Sequence, residues 1–417
     1  MKLKIFGENR EKYLENILLK FFTKKVVEEF KLKFFVSRTL NEKNTSKSIG
    51  DKNQIKIEIN NYFKITSQID LIITFAENNL PTNKFLELLL QLGKFSVFTS
   101  DFSSAVYIYE KIIGLSKGNK NLDKIKAESL LALGEVFSKQ ALWGISFNYI
   151  KEANLIFKRV NNIKGLVSCE NLLGSIYGET GNLDKSKMHF ENAITLLKKK
   201  PDVNLKGKIE INLGIINTMQ ENYESALKHY KSALYNFDPI KDEKRIAEIR
   251  HNLGMLYSKT QKYNLALREF NNSIKLSTKN GDLQTLGFSY LSKAFIYATQ
   301  KNYKLGDAFA EKALEVCHKT NDRLSIADIY KIKGIIQREI MDYSLAENYL
   351  NTSLRINKEL KNEMNKAETE FELGVLYSNM NKKGESKSSF NNALKYYTKI
   401  GAYHEIKLIE NLLTSYN

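Results

Sequence analysis

From residue 82 onward, apolar residues return at steps of three and four, the spacing that aligns side chains on one face of an α-helix. Short breaks such as Thr180-Gly181-Asn182, Gln220-Glu221-Asn222 and Met341-Asp342 interrupt them. The pattern repeats with the chain. Leu173–Tyr177 reads Leu-Gly-Ser-Ile-Tyr, and Leu253–Tyr257 and Leu373–Tyr377 have the same frame. With the second residue as reference, the frame recurs at Gly93, Gly134, Gly174, Gly214, Gly254, Ala294, Gly334 and Gly374, spaced by 41 and then six times by 40. A fixed period of this size signals stacked supersecondary units.

The columns after the reference residue predict how each unit is built. Nine residues on, seven of eight copies are bulky, among them Trp143, Tyr223 and Tyr263. Twelve on, all eight are small, as in Ala105, Ser146, Ala226 and Gly306. Sixteen on, the column is mostly aromatic or aliphatic, as in Tyr109, Phe190, Tyr230 and Phe390. Each unit therefore reads as helix, short turn, helix. The glycine is expected to face the small residue, so that the two backbones cross closely while the aromatics, Trp143 included, fill the core around the crossing. One such hairpin cannot bury its own apolar stripe, but a stack of them can. Pro81, Pro201 and Pro239 all fall between predicted helices.

These residues resemble the tetratricopeptide repeat, whose first helix carries Leu-Gly-x-x-Tyr and whose second carries Ala, an aromatic and Ala. The resemblance spans about residues 82–400. The repeats here are longer than usual and are similar to those of kinesin light chains, cell-polarity adaptors and Rap-type bacterial regulators that bind signalling peptides. The family implies an all-α, right-handed solenoid with first helices lining a concave surface. Residues 82–400 would then form eight repeats and residues 401–417 a capping helix, with Leu413 in the glycine slot.

Residues 1–81 read as a basic, mostly helical extension. A broad apolar face over 10–39 predicts a helix, 41–48 a loop and 54–78 a further helix, although Ile55-Lys56-Ile57-Glu58-Ile59 also suits a strand. The net charge of +17 is dispersed, but residues 1–50 hold ten Lys and two Arg against six Glu. That mild concentration keeps nucleic-acid binding by this segment open as an alternative, since a nucleic-acid footprint is a clustered one. The start of the chain lacks an apolar signal core, and no window approaches the length of a membrane span, so a cytoplasmic protein without membrane insertion is expected. Two cysteines cannot make a disulfide framework.

Catalytic chemistry is not expected. The five histidines are scattered over separate repeats, and there is no phosphate loop, His-Glu-x-x-His or Cys-x-x-Cys pair. Ser225-Ala226-Leu227-Lys228 matches Ser-x-x-Lys only by lying in a second helix. Cys169 and Cys317 read as buried thiols, and His229 as a partly exposed helical residue. No cofactor or metal is anticipated.

The remaining candidate is the groove. The resemblance implies that positions two and three before the reference residue, and one after it, face the concave surface. These positions hold Gln91, Asn212 and Asn252, then Asn171, His251 and Lys331. A carboxamide carries a donor and an acceptor together, so it can pair with the backbone of an extended peptide without reading side chains. Lys208 beside Asn212 and Asn252 is the closest approach to a carboxylate clamp, and Arg338 adds a further cation on this face. The expected function is a scaffold that binds a peptide or partner helix. A Rap-type signalling-peptide receptor that regulates another protein is the first alternative, and a nucleic-acid-associated assembly protein the second.

Overall fold

The computed structural model describes residues 12–32 and 68–414, and within them every regular element is helical. The chain opens with helical residues 12–18 (α1), 24–32 (α2) and 68–79 (α3). Eight hairpins come next. They are α4 (Thr82–Phe98) with α5 (Phe102–Leu115), α6 (Asp123–Lys139) with α7 (Trp143–Arg159), and α8 (Ile163–Glu179) with α9 (Leu183–Lys199). Then come α10 (Val203–Met219) with α11 (Tyr223–Phe237), and α12 (Glu243–Lys259) with α13 (Tyr263–Asn280). The last three are α14 (Leu283–Thr299) with α15 (Tyr303–Thr320), α16 (Arg323–Glu339) with α17 (Tyr343–Glu359), and α18 (Glu363–Asn379) with α19 (Lys383–Ile400). A final helix, α20 (Tyr403–Thr414), covers Phe371 and Tyr397 with its buried Ile409, as a cap should.

The helix ends are set by one recurring device. Seven residues after each reference position the backbone turns left-handed, at Ser100, Ala141, Gly181, Glu221, Gln261, Lys301, Met341 and Asn381. The next residue often caps the second helix. Asn182, Asn302 and Asp342 accept from the backbone N–H groups of Lys185, Leu305 and Leu345. Asp242 and Asp322 do the same for first helices.

The role of the reference glycine differs from expectation. A Cβ on Gly214 would lie 2.4 Å from the Tyr230 ring, and one on Gly254 or Gly374 would lie 2.5 or 2.6 Å from Phe270 or Phe390. The residue sixteen positions on thus occupies the space that a side chain would need. The small residue twelve positions on sits nearby, and where it is serine it donates to the glycine carbonyl: Ser146 to Gly134, Ser186 to Gly174 and Ser386 to Gly374. Trp143 is half-buried, not core, because it is the first residue of α7 and sits at the rim of the hairpin.

The expected helix over 10–39 is broken. Leu18 O accepts from the N–H groups of both Phe21 and Phe22, which closes α1, and Thr23 O accepts from Val27 to open α2. The break lets Phe22 and Phe30 approach the same ring, Phe75, at 5.1 and 4.9 Å between centroids. One straight helix could not offer both. Residues 33–39, the expected loop at 41–48 and the strand-or-helix segment 54–67 lie outside the described residues, as does most of the basic N-terminal concentration.

The helices gather into two compact units, Met1–Pro201 and Asp202–Asn417, each a stack of hairpins. Within each unit, first helices pack on the first helices of neighbouring repeats (α4 on α6 and α6 on α8; α10 on α12, α12 on α14, α14 on α16, α16 on α18). Second helices pack chiefly on the first helices before and after them. The first helices are therefore the more closely spaced row, which puts them on the inner side of the curve in each unit. No helix among the described residues is long and apolar enough to cross a membrane.

Candidate functional site

The face of the first helices turned away from the core is read directly from α12. Ala247, Ile249, Leu253, Gly254 and Leu256 are buried, while Lys244, Met255 and Lys259 are exposed and Glu248, His251 and Asn252 half-buried. Steps of three and four connect the outward set into one stripe. The same register places Lys208, Asn212, Ile215 and Met219 on α10.

Asn212 and Asn252 thus occupy equal positions on α10 and α12, which pack together, and Lys208 stands one turn before Asn212. Gln91 on α4 and Asn171 on α8 are half-buried at neighbouring registers, in the first unit.

His251, Lys331 and Arg338 are engaged inside the stack. His251 Nδ1 lies 3.1 Å from Ser289 Oγ, which donates to Ser273 Oγ at 3.0 Å, which donates to Ala247 O at 2.9 Å. With each serine proton committed, His251 must be the donor at Nδ1. Its ring leans on Phe270 and Phe288, and burial pulls its pKa down to about 4. Lys331 bridges Asp328 on its own helix and Glu368 on α18. Burial depresses its ammonium, but the two carboxylates outweigh that effect and the net shift is upward. Burial also raises Asp328, which Lys331 only partly offsets, and Asn365 Nδ2 donates to Asp328 Oδ1 at 3.0 Å. Arg338 is only 9% exposed and ties Glu339 to Glu372 of α18. A groove-facing position need not be a free one: the next first helix supplies a partner, and spacing alone does not reveal that.

Other titratable groups serve packing. Four positions before and fifteen after the reference glycine, side chains pair within a hairpin: Glu170 with His189 at 2.8 Å, Glu210 with His229 at 2.7 Å, and Arg250 with Glu269 at 3.0 Å. His229 is partly exposed on its helix, as expected, and is held by Glu210. Cys169 and Cys317 are buried, and burial raises their thiols to about 12 and about 11, far from a thiolate at neutral pH. Among the described residues no group of His, Cys, Asp or Glu has the arrangement of a metal site.

Sequence reasoning singled out the position after the reference glycine but did not pursue its content. In the second unit that column is Ile215, Met255, Phe295, Ile335 and Val375, apolar throughout, against Lys94, Glu135 and Ser175 in the first. The period itself contained this signal.

Tetratricopeptide-repeat models match residues 166–238, 247–280 and 367–399, which fall in the hairpins just described. The chain contains tetratricopeptide repeats. Its fold is an all-α solenoid of that type, and it is similar to several solved structures. The apo form of the quorum sensor NprR from B. thuringiensis aligns over 82% of this chain and 99% of its own, with 14% identity and a TM-score of 0.59. The Rap conjugation gene regulator of the plasmid pLS20, in complex with the Phr* peptide, aligns over 84% and 96% with 17% identity and a TM-score of 0.56. A Rap protein complexed with Competence and Sporulation Factor aligns over 88% and 98% with 13% identity and a TM-score of 0.56. At these identities the likeness is one of fold. No curated protein matches the chain in sequence.

Proposed function

We propose that this tetratricopeptide-repeat chain is a non-catalytic binding scaffold that holds a peptide or partner segment along the first-helix face of its second unit. The observation that carries this reading is the equal placement of Asn212 and Asn252 on two packed first helices, with Lys208 beside them. Two carboxamides in register can each pair with a backbone N–H and C=O of an extended segment, which gives affinity without strict side-chain selection. The buried, upward-shifted thiols favour binding over thiolate chemistry.

A receptor for a signalling peptide, which passes its occupancy to another protein, is the second reading. It is favoured by the fold shared with the Phr*-bound and Competence and Sporulation Factor-bound Rap proteins. Both readings place the ligand on the same face and differ in the consequence of binding. The test is a nuclease-treated capture from extract of the source organism, comparing wild type with Asn212→Ala/Asn252→Ala. A partner held by wild type and lost by an equally stable double variant supports the site. Equal retention by both removes it.

A further inference from the structure

The stripe on the second unit's first helices changes character from one repeat to the next. In its middle, α14 presents Gln284, Phe288, Ser292, Phe295 and Thr299, with no charge among them. Phe295 is 51% exposed and Met255, at the same position on α12, is 38% exposed. Ser292 Oγ reaches Met255 Sδ at 3.3 Å, so α12 and α14 present these groups as one continuous surface. Ile335 continues it onto α16.

The two sides of this apolar centre differ in charge. Toward α16 and α18, Asp328, Glu339, Glu368 and Glu372 surround only two cations, Lys331 and Arg338. Four carboxylates against two cations leave an excess of two negative charges. Toward α10 and α12 the stripe carries Lys208, Lys244 and Lys259, while Glu248 is already bonded to Arg245 at 2.6 Å. An exposed phenylalanine between sides of opposite sign is a surface that a ligand of matching pattern would cover, because apolar burial gives affinity and charge gives orientation.

We propose that this face takes a peptide segment with bulky apolar side chains in its middle and a lysine or arginine at the end lying over α16 and α18. The inference rests on the reading that the ligand lies on the first-helix face, and it names the class of ligand.

Selection of random dodecapeptides against the immobilised full chain tests it, with fluorescence-polarisation binding of the enriched sequences as the second step. Enriched peptides should carry at least two Leu, Ile, Met or Phe residues with a Lys or Arg to one side. Their affinity should fall roughly tenfold or more in Phe295→Asp and in Glu368→Gln/Glu372→Gln, and stay unchanged in Tyr235→Asp on α11. Phe295→Ser serves in place of Phe295→Asp should the latter melt earlier than wild type. Enrichment of polar or acidic peptides overturns the proposal. So does a peptide that is indifferent to Phe295→Asp but lost in Asn212→Ala/Asn252→Ala, although that result preserves the face. Indifference to all of these variants overturns the face as well. Absence of enrichment also overturns the proposal; self-association abolished by Phe295→Asp would then identify a second copy as the occupant.

Discussion

At the scale of single residues, the repeat is a contact between a missing side chain and a ring. Gly254 has no Cβ because Phe270 fills that space, and the same holds for Gly214 with Tyr230 and Gly374 with Phe390. The sixth repeat supplies the internal control. There the reference residue is Ala294 and the residue sixteen positions on is Ala310, so a methyl group enters where the ring is absent, and both are fully buried. Gly254→Ala should therefore cost about 2 kcal/mol, in the range of overpacked cores. Adding Phe270→Ala should cost less than the sum of the two single changes, since the first methyl then has room. Urea melts of the four proteins in this cycle measure the coupling, and strict additivity would show that the ring is not what excludes the side chain. The period of 40 made the glycine column plain in the sequence. What filled the glycine's vacant space was misjudged, because sequence spacing shows which positions share a face but not which side chain reaches across.

At the scale of elements, first helices are joined to one another by polar contacts that the sequence alone did not disclose. His251, Lys331 and Arg338 all fall on the groove side of their helices, and each is taken up by Ser289, Glu368 or Glu372 on the next first helix. Their partners lie more than thirty residues away, so no local pattern flags them. Asn212 and Asn252 were legible because both fall in the same slot of a strict period. The chain from His251 through Ser289 and Ser273 to Ala247 O locks α12, α13 and α14 together, and its consequence is pH dependence. The folded-state pKa of His251, about 4, is below its ordinary value of 6.5. Below 6.5 the unfolded chain binds the proton first, so the contribution to stability is fully present above about 6.5 and is lost as pH falls toward about 4. His251→Gln should show a shallower loss of stability than wild type across that window in denaturant titrations. Parallel curves for the two proteins would contradict the desolvated, neutral histidine.

At the scale of the whole molecule, each unit is a stack of hairpins whose contacts run between neighbours, so a surface stripe repeats once per hairpin and can be tuned hairpin by hairpin. The architecture was legible from residue 82 to the cap because glycine, small residue and aromatic recur together. The break in the N-terminal helix was not, since it depends on where Phe75 lies when α1 and α2 fold over it. The central claim is that the ligand lies on the first-helix face of the second unit. The most direct test is site-specific photo-crosslinking in extract of the source organism, with p-benzoylphenylalanine at Lys259 on the α12 stripe and, separately, at Tyr235 on α11, which is 81% exposed. The account predicts a discrete protein or peptide adduct from position 259 and none from position 235. An adduct from 235 alone would place binding on the second-helix side and contradict it.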